Sequence, residues 1–368
     1  MNVKTSEIKQ TFKWDKQPAL QKSVLYTCTY IPQEIIAAAG LNAYRIEANS
    51  FLRSNDSYFP TNFCPYIKNI ANYLLEKKDE IKALILATSC DGMRRLFDIT
   101  KNYIPDINLF MLDVPRVVSK ESIDFFSSNL DLMVSFLDTI SAGQKITLES
   151  IRSAAVLISE KNRLMGELRH IYLKSDTAIS LNEYYDIFKA SMMADTGSFN
   201  AYLKKYLHDI KDLDAGTVKK KKNIMIMGNY INDEKLWDIF SSLDVKISMD
   251  DICFSHRNIV NDINIEKARH KDEALRSIAA SYLNKPSCFR MADLDNKVSQ
   301  ALSSIREKEI DALIFISLKF CDTTLYFYPF LKEELKSMKI PTLFLEIEHN
   351  KISVGQIKTR IEAFLEMV

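Results

Sequence analysis

The fold class of the chain is decided by a series of short apolar runs: SVLYT at 23–27, AYRIE at 43–47, ALILATS at 83–89 and INLFMLD at 107–113. Segments with helical composition separate these runs, for example PYIKNIANYLLEKK at 65–78. Short strands that alternate with helices in this way are typical of a parallel, doubly wound sheet.

A second series of apolar runs begins near residue 223. It comprises NIMIMGN at 223–229, VKISMD at 245–250, DALIFISL at 311–318 and PTLFLEI at 341–347, and it closes with an amphipathic helix, VGQIKTRIEAFLEMV at 354–368. Between the two series, strand signals fade and apolar residues recur at helical spacing, as in SIRSAAVLISEKNRLMGELRHIYL at 150–173. We therefore predict an α/β fold with two doubly wound, Rossmann-like units, whose parallel sheets are joined by a helical segment.

These patterns also give the boundaries of the parts. We predict an N-terminal α/β unit at 1–118, a helical connector at 119–218 and a C-terminal α/β unit at 219–368. The lysine run at 219–222 follows the turn-forming sequence DAGT and precedes a strand, which is typical of a solvated linker.

The charge balance and the hydropathy pattern exclude several function classes. The chain carries 49 Lys and Arg residues against 48 Asp and Glu residues, so it offers no broad positive surface for nucleic acid or for an anionic membrane. Its longest apolar stretches have the length of strands, well below the ~20 residues of a membrane-spanning helix, and its N-terminal segment lacks the apolar core of a secretory signal. We expect a cytoplasmic protein that binds neither nucleic acid nor membrane.

Glycine is scarce in this sequence. Only eight glycines occur, and their positions do not form the phosphate-binding patterns GxGxxG or GxxxxGK[ST]. If the function depends on ATP, we expect its hydrolysis on another polypeptide.

The cysteines are the main chemical signal. Three lie in each predicted α/β unit, which suggests an internal duplication: Cys28, Cys64 and Cys90 in the first, and Cys253, Cys288 and Cys321 in the second. No CxxC pair occurs, which argues against a zinc knuckle and a thioredoxin-type motif. Wide separation without a secretory signal argues against a disulfide framework.

The positions of these cysteines are typical of a site. Cys28, Cys90 and Cys321 follow predicted strands, at the edge where open α/β sheets build their sites, and their polar flanks suit loops that line a cleft. A free cysteine is also among the most buried residue types, so spacing and flanks leave both core packing and metal binding open. As ligands, thiolates favour iron-sulfur clusters, zinc or Cu(I). Three thiolates on a four-iron cubane would leave one iron for water, substrate or a bridging sulfide.

The motifs around the cysteines resemble those of a known family. They are TCTYIPQEIIAAAGL at 27–41, NFCPY at 62–66, SCDGMRRLFD at 89–98, FMLDVPR at 110–116, YLNKPSCFRM at 282–291, LKFCD at 318–322 and GQIKTRIEAFLEM at 355–367. In this order, they resemble the D-component family of 2-hydroxyacyl-CoA dehydratases and benzoyl-CoA reductases. The resemblance implies anaerobic metabolism, iron-sulfur cofactors and a separate ATP-hydrolysing iron-sulfur activator protein that donates electrons.

Within this family, the presence of all six cysteine motifs most resembles the double-cubane branch. That resemblance implies an [8Fe-9S] cluster on Cys28, Cys64, Cys90, Cys253, Cys288 and Cys321, in a homodimeric reductase of a small-molecule substrate. The sequence PSCFR at 286–290 departs from the PCPR expected there and leaves the local geometry open. The alternatives are a [4Fe-4S] subunit of a 2-hydroxyacyl-CoA dehydratase and a non-catalytic iron-sulfur carrier.

Other charged residues near the cysteines suggest supporting roles. Arg94 and Lys319 flank Cys90 and Cys321, and cations beside a cluster raise its reduction potential. Arg95, Arg257 and Arg290 also flank cysteines, and for each of these cations an ordinary surface role stays open. His256, three residues after Cys253, is a candidate proton donor because its ordinary pKa lies near neutrality, although a lone histidine is more often structural. His349 is a weaker candidate.

Overall fold

The computed structural model describes residues 20–47, 58–174, 179–211, 221–260, 263–348 and 352–368. These residues contain two four-stranded sheets whose neighbouring strands are all parallel. The strands are β1 (Ser23–Tyr26), β2 (Asn42–Arg45), β3 (Ala83–Ala87), β4 (Asn108–Leu112), β5 (Lys222–Gly228), β6 (Val245–Asp251), β7 (Ala312–Leu318) and β8 (Thr342–Ile347). The predicted fold class, two Rossmann-like units with parallel sheets, is confirmed. His349 and the first two lysines of the run at 219–222 lie outside the described residues.

Helices separate most of the strands and fill the middle of the chain. They are α1 (Gln33–Ala38), α2 (Pro65–Glu76), α3 (Asp91–Tyr103), α4 (Lys120–Ile140), α5 (Leu148–Lys174), α6 (Leu181–Met193), α7 (Thr196–Lys211), α8 (Glu234–Ser241), α9 (Lys271–Asn284), α10 (Leu294–Glu307), α11 (Asp322–Ser337) and α12 (Val354–Glu366). Local chemistry sets several starts. Ser119 and Ser180 accept hydrogen bonds from the backbone N–H groups of Ser122 and Glu183, so they cap α4 and α6.

Each sheet is covered on both faces, as a doubly wound fold requires. One continuous core lies between the two sheets and takes Leu84 from β3 and Ile314 from β7, together with residues of α6 and α7. A second core covers the other face of the first sheet, and a third covers the other face of the second sheet with α10 and α11. The strands β3 and β7 are buried along their whole length, which explains their continuous apolar runs.

The helical middle of the chain connects the two sheets. Helix α5 packs against α1 and α7, and α6 packs against β2 and α8. Helix α9, from the last third of the chain, packs against α4 and joins the core of the first sheet. The domain boundaries given from the sequence, at 1–118, 119–218 and 219–368, stay a prediction. Within the described residues, none of the helices is both long enough and apolar enough to cross a membrane.

The two sheets have the same strand order, β2-β1-β3-β4 and β6-β5-β7-β8. In this order the chain leaves in opposite directions from the central pairs, β1 with β3 and β5 with β7. Sites in open parallel sheets form beyond the carboxyl ends of such pairs. At the end of β5, Gly228 lies so close to β7 that an added Cβ atom would approach the carbonyl oxygen of Ile316 to 2.2 Å. Glycine is therefore required there for steric reasons.

Candidate metal centre

The six cysteines lie in loops or at helix starts, and all are free thiols. Cys28 follows β1, Cys64 precedes α2, Cys90 lies between β3 and α3, Cys253 follows β6, Cys288 lies between α9 and α10, and Cys321 lies between β7 and α11. Cys90 is exposed and the other five are half-buried. Core cysteines are usually buried fully, so this exposure favours the interpretation that the thiols line a site.

Cys64, Cys90 and Cys321, which we name the capping triad, lie within electrostatic range: Cys321 and Cys90 act on Cys64, and Cys321 acts on Cys90. Desolvation raises the pKa of the Cys64 thiol to about 12, and Cys321 and Cys90 contribute to this increase. Desolvation also raises the pKa of Cys90 to about 11, with an additional effect of Cys321. Because Coulomb effects weaken with distance, these effects indicate three neighbouring thiols.

Each thiol of the capping triad stands at the N-cap of a helix. Cys64 precedes α2, Cys90 precedes α3 and Cys321 precedes α11, and none of the three side chains accepts a capping hydrogen bond from its helix. The positive end of a helix favours negative charge, so these positions suit thiolates. Just before Cys321, Phe320 has a left-handed backbone with φ of 58°. That conformation costs a residue with a side chain about 1–2 kcal/mol, and it turns the chain from β7 into α11.

Cys28, Cys253 and Cys288, which we name the cationic triad, surround Lys285. All three thiols raise the pKa of Lys285, but burial lowers it more strongly, to about 7. Cys253 and Cys288 also share a hydrogen bond between their side chains, so this pair retains one proton tightly and releases the other more easily. Cys28 acts electrostatically on Cys90 as well, which makes it the point where the two triads adjoin.

Buried cations surround the cationic triad. Arg257 forms an ion pair of 3.1 Å with Asp251 and donates to the carbonyl oxygen of Gly228. Arg45 donates to the carbonyl oxygen of Cys253 at 2.6 Å. Lys285 donates to the carbonyl oxygens of Thr29 at 2.5 Å and Arg257 at 3.0 Å. Arg290 donates to the carbonyl oxygens of Pro115 and Val114, which follow β4.

These cations fit an anionic cofactor. In the described part of the chain, Arg45, Lys285 and Arg290 form no ion pair with a carboxylate, although all three are almost fully buried. Arg257 Nη1, Arg45 Nε and Arg290 Nε are buried without a hydrogen-bond partner. Burying unpaired cations is costly, so a negative group beside them would offset that cost. The donor set and the charge therefore both fit a thiolate-bound iron-sulfur cluster.

The spacing of the thiols does not suit a single metal ion. Among the residues that the structure describes, no three His, Cys, Asp or Glu side chains lie close enough together to hold one ion. Thiolates on a cubane bind different irons and stand farther apart than ligands of one ion. These residues therefore offer no ligand set for a mononuclear zinc site, whereas a cubane would need only one thiolate at each of three irons.

Comparisons with known proteins give the family. The profile of the family described as 2-hydroxyglutaryl-CoA dehydratase, D-component, matches residues 28–368, a range that includes all six cysteines. The chain belongs to this family. The (R)-phenyllactyl-CoA dehydratase beta subunit of Clostridium sporogenes is 24% identical over 353 residues, with 94% of this chain and 91% of the relative covered.

Two further relatives widen the range of reactions in this D-component family. The beta subunit of lactoyl-CoA dehydratase from Anaerotignum propionicum is 22% identical, with 92% of this chain and 90% of the relative covered. A benzoyl-CoA reductase subunit from Thauera aromatica is 20% identical, with 97% and 93% covered. The chain therefore resembles subunits of dehydratases and of a reductase over nearly its whole length.

The cations that flank cysteines in the sequence differ in burial: some lie buried beside a triad and others are exposed. Arg257 and Arg290 lie buried beside the cationic triad. Lys319 is 43% exposed and pairs with Glu348 at 3.7 Å. Arg94 is exposed on α3, and Arg95 pairs with carboxylates of its own helix. A role near a cluster stays a prediction for Arg94 and Lys319.

His256 lies beyond the cationic triad, in a short 3-10 turn at His256–Asn258. Its Nδ1 atom lies 2.6 Å from Nη1 of Arg169. Burial, followed by Arg169, lowers the pKa of His256 to about 4. The ring is therefore neutral at pH 7, with Nδ1 accepting from Arg169, and its proposed role as a proton donor stays a prediction.

A cavity of about 600 Å³ opens beside Cys90. One wall is apolar and aromatic and includes Phe289, Phe327 and Phe330, while the lining carries charges of both signs, from two arginines and from two aspartates that follow cysteines: Arg94, Arg116, Asp91 and Asp322. Most of the lining residues come from the loops and helices next to Cys90, Cys288 and Cys321. A small molecule in this cavity would therefore contact the capping triad at its exposed thiol.

Two features of this candidate metal centre were not predicted from the sequence. The thiols do not group by chain order, because Cys321 joins Cys64 and Cys90 while Cys28 joins Cys253 and Cys288. Arg45 and Lys285 were also overlooked. A usable signal existed for Arg45, because it ends a β-strand whose last two residues are buried, where a cation needs a specific partner.

Proposed function

We propose that this D-component family chain holds an [8Fe-9S] double-cubane cluster on its six cysteines and reduces a small-molecule substrate. The observation that carries the proposal is the arrangement of all six thiols in two adjoining triads, one of which is surrounded by unpaired buried cations. When bound, such a cluster supplies low-potential electrons. The three thiolates of each triad would hold one of the two cubanes.

The protein residues have separate tasks in this proposal. Helices α2, α3 and α11 direct their N-termini toward the capping triad and offset its negative charge. Arg45, Arg257 and Lys285 offset the charge of the cationic triad. The cavity beside Cys90 admits the substrate, and its aromatic wall excludes water from one side of it.

The electrons would come from a separate ATP-hydrolysing iron-sulfur activator protein. Support comes from the scarcity of glycine, because the chain cannot form either common phosphate-binding loop. We expect no binding of ATP to the purified chain in equilibrium dialysis. Micromolar binding would contradict a separate activator.

A homodimer in the cytoplasm completes the proposal. The homodimer rests on the resemblance to the double-cubane branch, whereas the dehydratase relatives are named as beta subunits, which favours a different second subunit. Analytical ultracentrifugation of the anaerobically purified chain should give twice the monomer mass of 42.4 kDa. A monomer that pairs only with a different polypeptide would contradict the homodimer.

Iron analysis tests the proposed function directly. Protein purified without oxygen should contain about eight irons and a similar amount of labile sulfide per chain, because six thiolates provide for two cubanes. Anomalous iron scattering from anaerobic crystals should place iron at both triads. Turnover with activator and ATP would then separate a reductase from a non-catalytic iron-sulfur carrier.

A second function is favoured by the names of the relatives. Three of them are dehydratase beta subunits, and this chain resembles each over nearly its whole length. In that case the chain would be one subunit of a 2-hydroxyacyl-CoA dehydratase with a single [4Fe-4S] cluster. About four irons per chain, with one triad replaceable at no cost in iron, would support this function instead of the double cubane.

A further inference from the structure

The two triads differ in their access to solvent and in their charge. The capping triad includes the exposed Cys90, which lines the cavity of about 600 Å³. The cationic triad is surrounded by Arg45, Arg257, Lys285 and Arg290, which are each between 0% and 6% exposed. One half of a cluster held here would therefore meet the substrate cavity, and the other half would meet buried positive charge.

Lys285 contacts the segments that carry the cationic triad. Its Nζ atom donates to the carbonyl oxygen of Thr29, the residue next to Cys28 along the chain, and to that of Arg257. The ring of Tyr30 lies 4.5 Å from this atom. A lysine ammonium has three N–H donors, so one remains after the two carbonyl contacts. All three thiols of the cationic triad act electrostatically on this amine and favour its charged form, against burial, which lowers its pKa.

We propose that Lys285 makes the cluster half on Cys28, Cys253 and Cys288 the first to accept an electron, while the half beside Cys90 faces the substrate. This inference rests on the cluster proposed above. Reduction adds one negative charge to the cluster, and a nearby buried cation stabilises the reduced form more than the oxidised form. Arg290 lies between the two triads, because it also donates to the carbonyl oxygen of Thr88 at 3.4 Å, two residues before Cys90. The contacts of Lys285, in contrast, are with the carbonyl oxygens of Thr29 and Arg257, beside the cationic triad.

The test is a redox titration of the full chain, purified without oxygen and followed by electron paramagnetic resonance. Titanium(III) citrate supplies the electrons, and each cluster that gains one electron oxidises one Ti(III) to Ti(IV) without breaking a bond. Lys285→Gln removes the charge, and its amide NH₂ group retains donors for the two carbonyl oxygens. We expect the equilibrium constant for the first reduction to fall about tenfold, a decrease of about 59 mV for one electron.

Two control variants accompany this measurement. Lys285→Arg retains the charge and should restore the wild-type potential of the first reduction. Lys77→Gln removes a cation at the C-terminal end of α2, opposite the end that Cys64 caps, where it pairs with Glu80 at 3.0 Å, and it should leave that potential unchanged. A Lys285→Gln protein with full iron content and an unchanged first potential would overturn the inference.

A second measurement does not depend on the stability of the Lys285 variants. Serine replaces a thiolate ligand by an oxygen ligand and alters the spectrum of the cubane that it binds. Cys288→Ser should therefore change the resonance signal of the first electron, and Cys90→Ser should not. The opposite result would overturn the inference. A wild-type chain with about four irons would refute the double cubane instead, so the two failures are distinguishable.

Discussion

The capping triad and the cationic triad use the same ligand type in opposite surroundings. Cys64, Cys90 and Cys321 stand at helix N-termini beside an open cavity. Cys28, Cys253 and Cys288 stand among buried guanidinium and ammonium groups. At the capping triad, partial positive charges of backbone N–H groups favour an anion. At the cationic triad, full positive charges of side chains do so. Two chemically similar cysteine sets in one fold thus have different surroundings, and the proposed function assigns them different tasks, contact with substrate and storage of charge.

The largest effect is expected from the thiols themselves. Cys90→Ala and Cys288→Ala should each remove iron steeply, while the loss of packing costs only roughly 1 kcal/mol. The N-cap role adds little to that cost, because the Cys90 thiol accepts no capping hydrogen bond from α3. Iron analysis measures the loss of iron, and circular dichroism measures any loss of folded structure.

These two variants also show whether the triads are independent. If the triads hold separable cubanes, Cys90→Ala should retain the iron of the cationic triad, about half of the total. If the two halves depend on each other, both variants should lose nearly all iron. Full iron content in Cys90→Ala would show that this thiol is not a ligand, and the capping triad would then lose its proposed role.

The next largest effect is expected at Arg257, which is fully buried beside the cationic triad. Arg257→Met leaves Asp251 with Lys297 as its remaining ion-pair partner. Breaking a buried ion pair by removing one partner lowers the free energy of unfolding by about 3–5 kcal/mol. Anaerobic unfolding in guanidinium chloride checks this value.

The double variant Arg257→Met with Asp251→Asn is the control for this measurement. It should be less stable than the single variant, because Asp251→Asn leaves the buried ammonium of Lys297 without its carboxylate partner. A decrease of less than about 1 kcal/mol in the single variant would mean that the cationic triad does not depend on this buried pair.

A smaller effect should follow pH. Burial, followed by Arg169, Lys297 and Arg257, lowers the pKa of His256 to about 4 from the ordinary value of 6.5, although Asp251 acts in the opposite direction. The unfolded chain therefore binds a proton between pH 6.5 and 4 that the folded chain does not. This contribution to stability is present above pH 6.5 and is lost as the pH falls toward 4, by at most about 3 kcal/mol.

Thermal unfolding from pH 7 to pH 4 measures this dependence, and His256→Gln is its control. The variant should show a shallower loss of stability than the wild type over this interval. An equally steep loss in both proteins would show that other groups dominate the acid response near the cationic triad.

The smallest effect is expected near the capping triad. Arg95 is 58% exposed on α3 and pairs with Asp91 and Asp98. Exposed pairs within one helix contribute about 0.3–0.5 kcal/mol, so Arg95→Gln should change the free energy of unfolding by no more than that. Iron content should stay unchanged. A large loss of iron would mean that exposed cations support the capping triad, contrary to the proposed difference between the two triads.

Much of the fold was predictable because buried parallel strands have a distinct pattern. ALILA of β3 and ALIFISL of β7 are almost wholly apolar, since both faces of each sheet are covered. The predicted helical connector at 119–218 includes the segment SLNEYYDIFKASMMADTGSFNAYLKKYLHDI at 180–210, and the structure divides this segment into α6 and α7. The break coincides with Asp195, whose carboxylate accepts from the backbone N–H of Ser198 at 2.8 Å.

The site was predictable in composition but not in arrangement. Each cysteine motif is visible in the sequence, yet the grouping of Cys321 with Cys64 and Cys90 depends on how the two sheets face each other. No local pattern reports that orientation. Lys285 was overlooked for a related reason, because its burial comes from the packing of distant segments near Thr29 and Arg257.

The mixed origin of the triads affects how the protein can be assembled in the cell. Neither triad draws all its thiols from one sheet, and the capping triad needs Cys321, near the end of the chain. A ribosome adds about 5–20 residues per second, so the N-terminal sheet can fold well before that residue emerges. A cluster that uses both triads, as proposed above, would therefore be inserted after translation, on a chain whose halves have already come together. Until then the exposed Cys90 thiol is open to oxidation.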